Sequence, residues 1–368
     1  MRFLIFNTDY PLFLRQLYRR QRGLSQRGYA EQLRTRNDTF FGISDAYPHN
    51  LRLLGHEAEE LHINNVHLQR AWAREHGVKA WYAWPLRFQP TVSFLPFAAP
   101  WYHRILEAQI EHYQPDVTIS HAIWELSPAF LKRMKSKLGL LIGQIAAPLP
   151  ETIDLSAYDL MLSSLPNFVR RFEQAGVRAR LFRLGFDERV LTHFDDVQRD
   201  VAVSFVGTIS ASHSARTRWL EAVCAALPVQ VWGQGVERVP RQSAIARAYQ
   251  GPAWGLDMYR VLARSRITLN RHIDIAGDFA NNMRLYEATG MGACLLTDEK
   301  KNMAEILTPG EQAATYRDTS HCIELAGQLG RDDDARMRLA EAGQRRTLAE
   351  HSYNRRMRQL EAIIRDLR

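Results

Sequence analysis

Short apolar runs that end in turn residues alternate with amphipathic stretches along the first half of the chain. Such runs predict buried strands, and apolar positions spaced three and four apart predict helices. The predicted strands are residues 3–7, part of 56–64, 116–120, 138–145, 160–163 and 179–184. The predicted helices are residues 11–20, 48–54, 65–76, 101–113, 128–137 and 167–174. This alternation is typical of a parallel sheet covered by helices.

The alternation gives way to a polar, acidic stretch at residues 191–200 and then resumes. The later strands are predicted at 201–207, 229–232, 267–270 and 293–297, and the later helices at 215–226, 256–264 and 282–289. Further helices run to Leu348 and over residues 353–367. We therefore predict an α/β protein with two Rossmann-like, doubly wound domains. Their expected bounds are 1–195 and 196–350, followed by a C-terminal helix at 351–368.

The composition fits two ordinary globular domains. The chain has 368 residues, of which 46% are hydrophobic and 24% charged. Its longest apolar stretch, 138–150, is broken by glycine and proline, and its first apolar run is too short for a signal peptide. Three cysteines stand far apart without metal-site spacing, at Cys224, Cys294 and Cys322. We expect a cytoplasmic protein without disulfides or a bound metal.

The formal net charge is +8, and an early basic cluster contributes to it. Its members are Arg15, Arg19, Arg20, Arg22, Arg27, Arg34 and Arg36. A basic face of this kind can meet a phosphorylated acceptor, an anionic membrane surface or RNA. A solvated helix face explains the same pattern. Peripheral contact with the inner membrane surface is therefore one of the possible partner interactions, and no nucleic acid is expected.

Polar and small residues follow several strands of the second half, at the end where open parallel sheets bind ligands. The loop with Gly207, Thr208 and later Arg216 is suited to a diphosphate, although it can equally be a plain turn. Further candidates for ligand binding are Gly233, Gly235, Trp254, Asn270, His272, Asn281, Asn282, Arg284 and Glu287. Arg284 and Glu287 lie one helical turn apart, a spacing that also occurs in simple surface ion pairs.

Taken in order, these residues resemble a known family. The resemblance rests on Phe205-Val206-Gly207, Arg216, the strand 267–270, Arg284-Leu285-Tyr286-Glu287-Ala288, Gly290-Met291-Gly292 and His351-Ser352-Tyr353. This set is similar to glycosyltransferases of the GT-B type, in particular those akin to the spore maturation protein B group. The resemblance implies two Rossmann-like domains facing a cleft, with the C-terminal helix crossing back to the N-terminal domain.

The resemblance also implies roles for single residues. Glu287 is expected to hold the ribose hydroxyls of a nucleotide sugar, Arg216 to meet its diphosphate, and the loops near Gly235 and Gly251 to frame the base. Many related retaining enzymes carry another glutamate eight positions earlier, where this chain has Phe279. Asn281, Asn282 or Asp278 can replace that contact. The expected donor is a nucleotide sugar, UDP-linked among the possibilities, and the acceptor a glycan, a lipid-linked molecule or a protein.

Glycosyl transfer builds negative charge on the departing diphosphate, which GT-B enzymes stabilise with arginines and helix N-termini. An inverting enzyme also needs a base from the first half, for which His121, Asp45 and Asp9 are the candidates. A retaining enzyme needs none, and the related motif favours retention. Two alternatives stay open: a nucleotide-sugar epimerase of the same fold, and a non-catalytic protein that binds anionic surfaces or nucleic acid.

Overall fold

The computed structural model describes residues 1–79, 102–150, 153–209 and 214–367. The chain divides into two compact units, Met1–Phe182 and Arg183–Arg368. The division comes earlier than the boundary expected after residue 195, because residues 183–195 pack within the second unit. Phe186, for example, lies with its ring 6.2 Å from that of Tyr259. Among the described residues, no helix combines the length and the apolar character that crossing a bilayer requires.

The first unit contains a six-stranded parallel sheet. Its strands are β1 (Arg2–Asn7), β2 (Glu57–His62), β3 (Val117–Ser120), β4 (Leu140–Gln144), β5 (Leu160–Ser163) and β6 (Ala179–Leu181). They lie in the order β2-β1-β3-β4-β5-β6. The residues from Phe3 to Phe6 are buried, as expected for a strand with both faces covered. The chain therefore builds outward from β1 in both directions.

Seven helices of the first unit are described. They are α1 (Pro11–Arg20), α2 (Tyr29–Asn37), α3 (Ala46–Leu53), α4 (Val66–Glu75), α5 (His103–Tyr113), α6 (Pro128–Met134) and α7 (Pro166–Gln174). Proline occupies the first helical position of α1, α6 and α7, where its missing N–H costs nothing. The side chains of Asn65 and Ser127 cap α4 and α6 by accepting backbone N–H bonds.

The second unit has its own six-stranded parallel sheet. Its strands are β7 (Val201–Val206), β8 (Val229–Trp232), β9 (Tyr249–Gly251), β10 (Ser265–Leu269), β11 (Cys294–Asp298) and β12 (Ala314–Tyr316). The order is β9-β8-β7-β10-β11-β12, which is the 3-2-1-4-5-6 order of dinucleotide-binding Rossmann sheets. The expected doubly wound α/β fold is thereby confirmed for both units.

Helices cover the described part of this second sheet. They are α8 (Ser214–Ala226), α9 (Ala244–Ala248), α10 (Leu256–Arg264), α11 (Met283–Gly290), α12 (Thr319–Arg331), α13 (Asp333–Glu350) and α14 (Tyr353–Arg365). The core against the sheet includes Trp219 of α8 and Tyr316 of β12, whose rings stack 5.7 Å apart. Val223 and Leu269 are buried in the same cluster.

The turn between α13 and α14 is attached to the start of the second unit. Phe186 N–H donates to the carbonyl of His351 at 2.8 Å, and Tyr353 N–H donates to the carbonyl of Phe186 at 3.0 Å. Ser352 caps α14, and the guanidinium of Arg356 donates to the carbonyl of Leu184 at 2.8 Å. The His351-Ser352-Tyr353 motif thus fastens the final helix to residues 184–186.

Candidate functional site

The second sheet has a switch point between β7 and β10. From β7 the chain first builds β8 and β9 on one side and then returns to place β10 on the other. Helices leave the carboxyl ends of these neighbouring strands in opposite directions, which opens a crevice there. Gly207 and Thr208 follow β7 at this edge, and Asn270 follows β10. The crevice is the expected ligand position of such a sheet.

Two arginines converge on the turn after β7. The guanidinium of Arg284, on α11, donates to the carbonyl of Val206 at 3.2 Å, and that of Arg216, on α8, donates to the carbonyl of Thr208. Burial lowers the pKa of the Arg216 guanidinium, with partial opposition from Asp274. Residues 210–213 of the predicted phosphate loop lie outside the described residues. The structure therefore brings two fixed positive charges to the switch point.

Glu287 is buried one turn further along α11. Only 5% of the residue is exposed, and its Oε2 lies 2.9 Å from Nη1 of Arg284. Burial raises the pKa of the Glu287 carboxyl, and the charge of Arg284 offsets this only in part. A ribose bound by this carboxylate would have to share it with Arg284 or displace the guanidinium. The ribose role of Glu287 stays a prediction.

The start of α11 is fixed by two asparagines. Asn282 caps the helix by accepting from Leu285 N–H at 3.3 Å, and its Nδ2 donates to Asn270 Oδ1 at 2.8 Å. Asn270 Nδ2 in turn donates to Thr297 Oγ1 at 2.8 Å. Asn281 is partly exposed next to them. Asn270 and Asn282 thus position the helix that carries Arg284 and Glu287.

A histidine–aspartate pair lies beside this network. His272 Nδ1 is 2.7 Å from Asp298 Oδ1, and Lys300 Nζ is 3.4 Å from Asp298 Oδ2. Burial alone would raise the pKa of Asp298, but the bond to His272 and the charge of Lys300 bring it to about 2. Sequence reasoning included His272 but missed Asp298 and Lys300. Asp298 directly follows the predicted strand 293–297, and Lys300 comes two residues later, so the rule that favours residues just after a strand would also have found them.

The glycines after β8 serve a close backbone contact. At Gly233, with φ of +143°, a Cβ atom would lie 1.9 Å from the carbonyl oxygen of Gly207. At Gly235 it would lie 1.8 Å from that of Ile209. The loops after β7 and β8 are also joined by a 2.7 Å bond from Ile209 N–H to the carbonyl of Gln234. Trp254, partly buried, follows β9. Glycine is needed at these two positions so that the loops after β7 and β8 can approach each other, whether or not a nucleobase binds nearby.

The first sheet has its own switch point, between β1 and β3. Asn7 ends β1, Asp9 follows it, and His121 follows β3. The third candidate base, Asp45, lies partly exposed just before α3. Two residues later, the ring of Tyr47 meets that of His121 at 5.1 Å. The structure therefore brings Asp9 and His121, and the segment that carries Asp45, to one edge of this sheet.

Asp9 is part of a buried charge network. Its Oδ1 accepts from Arg36 Nη2 at 2.7 Å, and its Oδ2 lies 3.2 Å from Nδ1 of His62. Burial would raise the pKa of the Asp9 carboxyl, but Arg36 and His62 hold it well below its usual range. With no exposed side-chain surface, Asp9 is committed to its two cationic partners in this structure. Its role as a base stays a prediction.

His121 is the more accessible of these two candidates. Its Nδ1 lies 2.7 Å from Asn7 Oδ1, and its Nε2 lies 3.2 Å from the side-chain amide of Gln144. Burial lowers the pKa of His121 to about 4, against a smaller opposing contribution from Gln144. The imidazole is therefore neutral at physiological pH. Such a group accepts a hydrogen bond well but holds a transferred proton weakly.

A family model matches part of the second unit. Residues 216–362 match the model of a family described as glycosyl transferase-like. A search of the sequence against curated proteins found no match. The family match covers both arginines and all of α11.

Solved structures resemble the chain over its whole length. Sucrose-phosphate synthase from Thermosynechococcus elongatus has a TM-score of 0.59 at 10% identity, covering 100% of this chain and 99% of that one. HepE from Anabaena, solved with UDP and glucose, has a TM-score of 0.60 at 12% identity, with 100% of both chains covered. A glycosyltransferase from Rickettsia africae has a TM-score of 0.60 at 12% identity and coverages of 100% and 98%.

The fold is that of glycosyltransferases of the GT-B architecture, and residues 216–362 are similar to a glycosyl transferase-like family. The resemblance stated from the sequence is confirmed at this level. The narrower likeness to the spore maturation protein B group stays a prediction.

Proposed function

We propose that the protein transfers a sugar from a UDP-sugar to an acceptor hydroxyl, and that the donor binds at the β7/β10 switch point. The observation that carries this proposal is the convergence of Arg216 and Arg284 on the carbonyls of Val206 and Thr208. A diphosphate at this turn would meet two guanidinium groups, which are the side chains best suited to its oxygens. UDP comes first because it is bound in the HepE structure.

The two arginines would stabilise the leaving group. As the glycosidic bond breaks, positive charge develops on the sugar and negative charge on the diphosphate. Charges fixed in place before the reaction lower its barrier without further reorganisation. We propose that this arrangement works without a metal ion and with retention at the sugar carbon. Chelation with EDTA is then expected to leave the rate unchanged, and a rate restored only by added Mg²⁺ would contradict this.

Glu287 would bind the ribose through the carboxylate that now faces Arg284. When the diphosphate draws Arg284 toward itself, Oε2 of Glu287 is released to accept from the ribose hydroxyls. The 2.9 Å ion pair thus holds the carboxylate in place before the donor arrives. The acceptor, whether glycan, lipid-linked or protein, would bind on the first unit near His121.

Turnover of UDP-glucose with matched variants tests this function. Arg216→Ala is expected to lower kcat about a hundredfold, the usual effect of removing one stabilising donor. Arg218→Ala, two residues further along α8 and exposed, is expected to leave it unchanged. Glu287→Gln should raise the donor KM, with exposed Glu299→Gln as its control. Equal rates for Arg216→Ala and Arg218→Ala would refute the proposal, and an epimerised sugar nucleotide formed without acceptor would indicate an epimerase.

A further inference from the structure

A chain of hydrogen bonds connects His121 to a buried carboxylate. His121 Nδ1 lies 2.7 Å from Asn7 Oδ1, and Asn7 Nδ2 donates to Glu60 Oε2 at 3.0 Å. A carboxylate only accepts hydrogen bonds, so the atom of Asn7 that faces Glu60 must be its NH₂ group. The oxygen of Asn7 therefore faces His121. That oxygen requires His121 to donate from Nδ1.

Glu60 is itself held in place. Its Oε1 accepts from Asn37 Nδ2 at 2.5 Å, and its Oε2 lies 3.7 Å from Nε2 of His62. Glu60 is 3% exposed and Asn7 is 5% exposed. Turning the Asn7 amide over would bring its oxygen against the carboxylate in a buried place, where an unpaired polar group is costly. The direction of the chain from Glu60 to His121 is therefore fixed.

The other ring nitrogen is then an acceptor. A neutral imidazole carries one N–H, and with that proton on Nδ1 the lone pair is on Nε2. In the structure, Gln144 Oε1 lies 3.2 Å from Nε2 and accepts from the Tyr47 hydroxyl at 3.0 Å. A lone pair on Nε2 would repel that oxygen, so the Nδ1–H tautomer requires the Gln144 amide to turn over and present its NH₂ group to Nε2. Gln144 is partly exposed at the end of β4, so a hydroxyl from a ligand can replace it at Nε2.

We propose that Asn7 and Glu60 are positioning residues that fix His121 in the Nδ1–H tautomer, so that Nε2 accepts a hydrogen bond from a hydroxyl of the glycosyl acceptor. This inference rests on the proposed function for the identity of the ligand and on the geometry of the first unit alone for the tautomer. In this arrangement, the first switch point has the Glu60 carboxylate at its buried end. At its open end it has His121 Nε2, a nitrogen that accepts a hydrogen bond.

The tautomer can be read directly from ¹⁵N NMR spectra of the imidazole nitrogens, with the His121 signals assigned by their loss in His121→Gln. At neutral pH the wild type is expected to show Nδ1 protonated and Nε2 bare. In Asn7→Leu, which cannot accept from Nδ1, the proton is expected on Nε2. A wild type protonated at Nε2, or a Nδ1–H form that persists in Asn7→Leu, would overturn the proposal.

Glu60→Gln provides a second variant in case Asn7→Leu does not fold. A glutamine at this position can face Asn7 with either end, so the His121 signals are expected to show a mixture of the two tautomers. Retention of the pure Nδ1–H form would show that Glu60 does not set the direction. The control is Glu59→Gln on the same strand, whose side chain is half exposed and lies outside the chain of bonds, and it is expected to keep the wild-type signals.

Kinetics separate positioning from general damage. In Asn7→Leu, kcat for UDP-glucose turnover is expected to fall about tenfold, the equivalent of one lost hydrogen bond in the transition state, with the donor KM within about twofold of wild type. A raised donor KM with unchanged kcat would contradict the role. If the wild type turns over no UDP-sugar, the proposed function fails, whereas the NMR result still decides the tautomer.

Discussion

Each unit has a buried ion pair near its switch point. In the first unit, the side chains of Arg36 and Asp9 are 4% and 0% exposed. In the second, those of Arg284 and Glu287 are 13% and 7% exposed. Removing one partner of such a pair leaves an uncompensated charge away from water, which costs far more than losing an exposed pair. The two pairs therefore combine a structural role with a position beside a ligand crevice.

Asp9→Asn tests the structural role. The change leaves Arg36 and His62 facing a neutral amide in a site without solvent. We expect the free energy of unfolding to fall by about 3–5 kcal/mol, the range for breaking buried pairs. Urea denaturation followed by circular dichroism measures it. Exposed Asp38→Asn is the control, expected to stay within about 0.5 kcal/mol of wild type, as surface substitutions do. A similar loss in both variants would mean that the buried network adds little.

His62 predicts a pH dependence of stability. Burial and Arg36 would lower its pKa, but Asp9 and Glu60 raise it above the usual value of 6.5. The protonated ring therefore contributes its full stabilisation below pH 6.5, and this is lost as the pH rises through the folded-state pKa. We expect the wild type to lose stability relative to His62→Gln as the pH rises above 6.5. Parallel curves for the two proteins would exclude a protonated His62.

At the scale of elements, hydrophobic periodicity identified most of both sheets. It predicted α1, α10, β5 and β8 with the observed bounds. It missed α2, whose buried residues are Tyr29, Gln32 and Arg36, because the inner face of this helix is largely polar. Arg36 and Asn37 of α2 complete the network around Asp9 and Glu60. The buried charge network of the first unit was therefore missed together with α2, because the polar inner face that concealed the helix carries part of that network.

Short elements escaped prediction for another reason. The edge strands β9 and β12 have three residues each, too few for an alternating pattern to show. The helix α12 was detectable, since Asp318 caps it and its buried residues Cys322, Ala326 and Leu329 follow helical spacing. Among the candidate site residues, the rule of strand ends selected those that the structure gathers at the β7/β10 edge. It could not show that Gly233 and Gly235 serve a backbone contact.

Gly233→Ala tests that contact. The added Cβ would lie 1.9 Å from the carbonyl oxygen of Gly207, so the loops after β7 and β8 would have to separate. We expect a loss of about 3 kcal/mol in unfolding free energy, typical of strain and overpacking combined. Gly251→Ala is the matched control, because its φ is also positive, at +110°, but its Cβ would meet open space. Its cost is expected to be about 1 kcal/mol, from backbone strain alone. Equal losses of unfolding free energy in the two variants would show that the close approach to Gly207 is not what makes Gly233→Ala destabilising.

The exposed face of α1 predicts membrane contact. Arg15 and Arg19 are exposed on this helix, next to Leu12 at 46% and Tyr10 at 63% exposure. Each basic residue near an anionic surface contributes about 1 kcal/mol. The double change Arg15→Gln and Arg19→Gln is therefore expected to lower the affinity for phosphatidylserine vesicles, measured by sedimentation, about thirtyfold. Exposed Arg338→Gln, on α13, is the control. Binding that is equally strong to zwitterionic vesicles, or unaffected by the double change, would contradict a charge-driven contact.

At the scale of the whole molecule, the two units share the same sheet arrangement but carry different side chains at their switch points. Both sheets are parallel, both build outward from their first strand, and both collect polar residues at the resulting switch point. The second unit offers guanidinium groups there, which suit a diphosphate. The first offers a neutral imidazole and amides, which suit hydroxyl groups. This division of chemistry matches a reaction in which one partner leaves as a diphosphate and the other attacks as an alcohol.

The placement of the two arginines in the second unit predicts which unit UDP should bind and stabilise. A ligand at about a hundredfold excess over its Kd stabilises the unit that binds it by about 2.7 kcal/mol. Because the arginines lie in the second unit, we expect UDP to slow amide hydrogen exchange around residues 206–209 and 282–287 and to leave β1 to β6 unchanged. UDP should also exceed ADP, GDP, TDP and CMP in raising Tm.

Two variants locate this stabilisation. In Arg216→Ala, the gain in Tm from UDP and the slowed exchange at residues 206–209 are expected to shrink together, since both depend on the same guanidinium. In Arg218→Ala both should persist. Slowed exchange confined to the first unit would place the nucleotide at the wrong switch point and reverse the assignment of donor and acceptor sides. Because exchange is measured residue by residue without an acceptor or any turnover, it separates the position of the donor from the identity of the sugar.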